Sequence, residues 1–212
     1  MRKLRNALLA GIFLASGIGV AQAALVSGTY DISIWQGTGN GSISDPIEQA
    51  NNSNPLLLTT PAATLTYTGP LNFNEPGGGT NLISAFLSSG GGSYMVNSGS
   101  ITGDQLSSAP FKTTTLFQIT GTGYAGQSGT VSHDDGASLY QGSSTIFDSS
   151  VPTVEVPTPY TLTSNGGFNL IYVEANGLPA DLTMTAVPEP GSLLLLGTGL
   201  LGLGLIGRRK RI

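Results

Sequence analysis

The chain has 212 residues, 31 of them glycine and none cysteine; only 9% are charged, and the formal net charge is −4. Without cysteine there is no disulfide scaffold, thiolate metal site, cysteine nucleophile or lipidated N-terminal cysteine. A mean hydropathy of +0.15 argues against disorder, which pairs low hydrophobicity with high net charge, and glycine without a three-residue period excludes collagen.

The net charge hides a segregation. Seven of the eight basic residues are Arg2, Lys3 and Arg5 at the start and Arg208, Arg209, Lys210 and Arg211 at the end. Between residues 24 and 186, eleven acidic residues stand against Lys112 alone, a balance of −10. Nucleic-acid binding needs a basic surface, so this body is expected to have no nucleic-acid partner.

Residues 1–23 begin with three cations, continue through an apolar run over 7–20 and end in Ala21-Gln22-Ala23. This is the layout of a secretory signal peptide, with Ala21 and Ala23 set for a cut before Ala24. The expected partners at this step are a Sec-type translocon and signal peptidase, and the body is expected to be exported.

From residue 24 to 186 the chain reads as one all-β domain, a β-sandwich or jelly roll. Short alternating runs predict strands at 30–36, 64–68, 82–87, 114–120, 129–133, 138–140, 160–163, 168–174 and 181–185, separated by Gly, Pro, Asn and Ser clusters. Residues 36–62 and 74–80 read as long loops. Residues 160–174 predict a hairpin turning at Asn165-Gly166-Gly167. Fourteen aromatic residues lie in the body, enough to build a core. The clusters Gly77-Gly78-Gly79 and Gly90-Gly91-Gly92 lack the Lys-Ser/Thr of a phosphate loop and read as turns.

The densest cluster of chemistry is Ser132-His133-Asp134-Asp135-Gly136-Ala137-Ser138-Leu139-Tyr140. Two readings stay open. Asp134 and Asp135 are hard oxygen ligands suited to Ca²⁺ if further oxygens converge from distant loops. The same residues also suit a tight turn between two strands, with Asp135-Gly136 supplying positive φ. These residues, with Tyr160-x-Leu162 and Phe168-x-Leu170-x-Tyr172-x-Glu174, resemble the later half of the protective-antigen-type lectin domain, over roughly 116–185. The resemblance implies a β-sandwich in which the adjacent Asp pair holds a calcium ion that binds sugar hydroxyls. The sequence departs from that family where Gln141-Gly142 follows Leu139-Tyr140.

Catalysis finds little support. His133 is the only histidine and is expected on an exposed strand beside a turn; with so many serines, a Ser-His-Asp combination on paper carries no information. Glu155 and Glu174 are candidate glycosidase carboxylates, but sequence spacing does not give their separation in space. The expectation is a protein that is not an enzyme, with an extracellular hydrolase the remote alternative.

The chain ends in Val187-Pro188-Glu189-Pro190-Gly191, an uncharged Leu/Gly-rich stretch to Gly207, then Arg208-Arg209-Lys210-Arg211-Ile212. The stretch from 191 to 207 is 17 residues, about 26 Å as helix, and predicts a short transmembrane helix. The four cations read as a stop-transfer signal that stays cytoplasmic, which puts the body outside. Motif, span and cationic end together resemble the PEP-CTERM sorting signal of Gram-negative, exopolysaccharide-producing bacteria. The resemblance implies an exosortase that recognises Pro188-Glu189-Pro190, removes the tail and releases the body to the cell surface or matrix. The expected organisation is a signal peptide over 1–23, an exported domain over 24–186 and a sorting segment over 187–212. The expected role is structural or adhesive, with exopolysaccharide a candidate partner and a calcium-dependent carbohydrate-binding module the alternative.

Overall fold

The computed structural model describes residues 22–187. The signal peptide up to Ala21, the Pro188-Glu189-Pro190 motif, the expected membrane helix and the cationic end lie outside the described residues.

The elements in order are β1 (Ala24–Leu25), β2 (Ser27–Thr38), β3 (Ala63–Pro70), β4 (Asn72–Glu75), α1 (Ile83–Ser89), β5 (Ser93–Gly99), β6 (Thr113–Gly123), β7 (Ser128–Asp134), β8 (Gly136–Gln141), β9 (Ser144–Ser149), β10 (Val156–Thr161), β11 (Gly166–Glu174) and β12 (Ala180–Ala186). They form two sheets. One has seven strands in the order β5-β3-β2-β6-β11-β8-β9; the other runs β1-β12-β7-β10, with β4 also paired to β12. Every strand pair is antiparallel, as expected of an all-β sandwich.

Alternation along the strands sends one set of side chains into the space between the sheets. Ile32, Ile34, Leu65, Tyr67, Phe117, Ile119, Leu170 and Tyr172 from the larger sheet meet Phe73, Val131, Leu182 and Met184 from the smaller, and all are buried. An aromatic chain runs through this core: Tyr67 to Phe73 at 4.9 Å between ring centroids, Phe73 to Phe86 at 5.4 Å, and Phe86 to Tyr172 at 5.7 Å. Part of the outer face of the larger sheet is also covered. Trp35, Leu116, Tyr140, Ile171 and Val173 pack beneath the β2–β3 connection, whose Leu56 and Leu57 lie against them. The buried Trp35 indole donates to the Thr59 carbonyl at 3.0 Å, which removes the cost of an unpaired donor.

That connection is shaped by two 3₁₀ turns, Pro46–Glu48 and Pro55–Leu58. Each has proline in its first turn and a side-chain cap: Asp45 accepts from the Ile47 amide, and Asn54 from the Leu56 amide.

Two expectations are corrected. Residues 82–87 do not form a strand; α1 stands there, because Ile83, Phe86 and Leu87 fall at helical spacing and all three are buried. Residues 160–174 are not a hairpin: β10 pairs with β7 in one sheet, while β11 pairs with β6 and β8 in the other, so the turn near Asn165 bridges the sandwich. β1, β4, β5 and β9 were not anticipated.

Candidate functional site

β7 ends at Asp134 in the smaller sheet and β8 begins at Gly136 in the larger. The Asp pair therefore lies where the chain crosses between sheets. This is a crossover, whereas the turn reading supposed a tight turn between strands. The Asp134–Asp135 peptide bond is cis.

The two carboxylates have different surroundings. Asp135 is buried, and its Oδ2 accepts from the Ala175 amide at 2.9 Å and the Asn176 amide at 3.1 Å, just beyond the end of β11. Asp134 lies opposite Asp181 across the β7–β12 ladder. Asp134 and Asp135 line a cleft of about 290 Å³ with Ile43, Phe111, Pro152, Thr153, Val154 and residues 176–179. A neighbouring cleft of about 370 Å³ also reaches Ile43 and is lined by Pro46, Gln49, Asn51 and Val151.

The electrostatics at this end are one-sided. Burial, then Asp135, Asp181 and Glu155, raise the Asp134 carboxyl to about 7. Burial raises Asp135 to about 6, against the pull of the Ala175 and Asn176 amides and with a further push from Glu48. Asp181 is raised by burial and by Glu155. Like carboxylates out of water favour either protons or a bound cation.

Behind the pair lies a hydrogen-bond chain. The Gly177 amide donates to Ser107 Oγ at 3.0 Å, and Ser107 Oγ donates to Glu174 Oε1 at 2.8 Å. The Tyr172 hydroxyl touches both the Asp134 carbonyl and Glu174 Oε2. A hydroxyl has one proton and the Asp134 carbonyl has none, so Tyr172 donates to Asp134. The 2.9 Å contact between Tyr172 Oη and Glu174 Oε2 then requires the proton to sit on Glu174. Burial and the nearby Asp135 charge push the Glu174 carboxyl well above its ordinary range, in agreement. A neutral acid thus ties β11 to the backbone of the Asp pair.

His133 is fully buried, contrary to the expected exposed position, because it shares the inward face of β7 with Val131. Its Nδ1 lies 2.6 Å from the Asp135 carbonyl and its Nε2 lies 3.0 Å from Thr158 Oγ1. The carbonyl can only accept, so Nδ1 carries the proton and Nε2 accepts from Thr158. Burial pushes the imidazole below its usual value. Of the two candidate glycosidase carboxylates, Glu174 is fully buried and Glu155 is exposed on the strand side of the same end.

Glu48 was not singled out in the sequence. It is fully buried; its Oε2 accepts from Thr114 Oγ1 at 2.7 Å, and among the described residues its Oε1 has no hydrogen-bond partner. Gly39 permits this packing: a Cβ there would lie 2.1 Å from Glu48 Oε1 and 2.4 Å from the Phe111 carbonyl. The second missed contributor is Ser107, which no motif marks. Among the described residues, no group of three or more His, Cys, Asp or Glu side chains is arranged to hold a metal.

The tail is settled by its motif. Residues 186–211 match the PEP-CTERM protein-sorting motif. The chain carries a PEP-CTERM signal. This signal implies export, surface targeting and processing by an exosortase. No curated protein matches the chain. Among solved structures, a PA14 sugar-binding domain from an RTX adhesin is similar at 13% identity and a TM-score of 0.46, covering 74% of this chain and 88% of that one. The PA14 domain of the antifreeze protein MpAFP is similar at 14% identity and a TM-score of 0.48, covering 78% and 85%.

Proposed function

We propose that the protein is an adhesive component of the surface or exopolysaccharide matrix of a Gram-negative bacterium and binds carbohydrate through a calcium ion held by Asp134 and Asp135. The observation that carries this reading is the pairing of two adjacent carboxylates at one cleft, with no basic side chain in its lining. Asp135 is oriented by two backbone amides through Oδ2, and Asn176 belongs to the same lining. Hard oxygen donors of this kind suit Ca²⁺, which takes six to eight of them; backbone carbonyls, water and sugar hydroxyls complete the shell. The bound ion supplies a positive centre for vicinal hydroxyls and relieves the repulsion among the buried acids. No catalytic step is assigned to the site.

Calcium is expected to raise the melting temperature of the wild-type protein and to leave Asp134→Asn/Asp135→Asn unchanged. Coincident wild-type curves with and without calcium defeat the calcium reading and leave a purely structural role.

The proposed organisation is signal peptide over 1–23, exported domain over 24–186 and sorting segment over 187–212. In it, Ala21 and Ala23 direct cleavage before Ala24, the motif from Val187 to Pro190 is read by the exosortase, and residues 208–211 hold the end in the cytoplasm. Pro188→Ala/Glu189→Ala/Pro190→Ala is expected to keep its full tail in the membrane fraction. Normal trimming and release of that variant contradicts the role given to the motif.

A further inference from the structure

The seven-stranded sheet has two unlike edges. At one, β9 lies against β10 of the facing sheet, and β10 carries Pro157 and Pro159, which lack the amide hydrogen that an added strand requires. At the other, among the described residues, β5 pairs with β3 on one side only. All its residues are exposed except the half-buried Tyr94, and it has neither charge nor proline. Exposed edge strands are usually blunted by Lys, Pro or a bulge. Here a register shift leaves Asn97 as an extra residue, since Leu65 faces Val96 and Thr64 faces Ser98. Residues 93–96 before it stay regular and open.

Charge singles out the same edge. Residues 76–103, which include α1 and β5, contain no charged side chain in 28 positions, within a body whose balance is −10. Two such bodies repel each other except where both surfaces are neutral. Met95 is 66% exposed on this edge and Val96 39%.

We propose that β5 pairs with β5 of a second copy, antiparallel across a two-fold axis at Met95, and joins two seven-stranded sheets into one. Each Met95 then faces its symmetry mate, and Tyr94 faces Val96 of the second copy, so the exposed apolar side chains meet across the axis. The unpaired amides and carbonyls of both edges are satisfied together. The same patch meets itself, so the assembly closes as a dimer and does not propagate into fibres.

The absence of cysteine from the chain gives the test a clean background. In the full chain, Met95→Cys places two thiols across the axis at a separation that antiparallel pairs and disulfides share. Leu58→Cys is the control, because Leu58 is 90% exposed and lies in the β2–β3 connection. Under mild oxidation, the disulfide-linked dimer is expected to form at least about tenfold faster from Met95→Cys, since pairing raises the effective thiol concentration toward the millimolar range. Adding Ser93→Glu and Asn97→Glu changes exposed positions only and sets like charges opposite one another, and should return Met95→Cys to the control rate. Association through the tail alone gives no preference for position 95. Equal rates for the two single variants, or no effect of the added glutamates, overturn the proposal.

Discussion

The middle of the sandwich and its carboxylate end are both buried, but they are buried at different cost. In the middle, Tyr67, Phe73, Phe86 and Phe117 pack ring against ring and carry no charge. At the end, Glu48, Asp135, Glu174 and Asp181 are buried with Asp134 beside them. Removing apolar surface from water is favourable whatever the pH. Burying carboxylates is unfavourable unless protons or cations accompany them. Tyr172 belongs to both regions: its ring stacks on Phe86 at 5.7 Å while its hydroxyl reaches Asp134 and Glu174. The apolar middle therefore serves as the anchor against which an end rich in buried carboxyl groups is built.

The largest effect expected from breaking this contrast comes from the middle. Phe86→Ala should cost about 3–5 kcal/mol in chemical denaturation, and the loss should be the same with and without calcium. A cost that depends on calcium would mean that the two regions are not separate.

A smaller effect is expected where they join. Glu174→Gln keeps a donor toward Tyr172 and an acceptor for Ser107, and should stay close to wild type. Glu174→Ala leaves Ser107 and Tyr172 without their partner and should cost about 1–3 kcal/mol. Equal losses for the two variants would contradict a neutral acid at this position.

The smallest effect is the pH dependence at the carboxylate end. Asp134 titrates near 3.8 when unfolded and at about 7 when folded, so between those values the folded state binds more protons and stability falls as pH rises. His133, with its value lowered by burial, acts in the opposite direction, so the sign must be read from a difference. Without calcium, the stability of Asp134→Asn relative to wild type should increase from pH 5 to pH 7.5, because both proteins keep His133. A flat or falling difference, measured by denaturant titration at the two pH values, would show that burial does not raise Asp134.

Much of this contrast was legible in the chain, for reasons particular to each element. Alternation marked β2, β6, β11 and β12, because each buries at least one face and polar residues interrupt the apolar ones. It failed over 82–87, where an apolar run too short to show its period suits helix and strand equally. Asn165-Gly166 marked a turn, but a turn that bridges two sheets uses the same residues as a hairpin. β5 lacks alternation because almost all of it is exposed. At the site, Asp134 and Asp135 stood out through adjacency. Glu48, Ser107 and the hydroxyl of Tyr172 did not, since they meet over separations of 66, 67 and 38 residues. The alternation that places His133 on the same face as Val131 was available and would have indicated its burial.

β1 begins at Ala24, and Ala24 pairs directly with Ala186. The chain thus enters and leaves the sandwich side by side, at one end of β12. The other end of the same strand carries Asp181, opposite Asp134. About five residue steps of extended chain, roughly 17 Å, separate the two. The end at which the chain enters and leaves the sandwich and the end that carries the carboxylates are thus opposite ends of one strand. A change to the chain beyond Ala186 therefore acts at the end of β12 that is remote from the cleft.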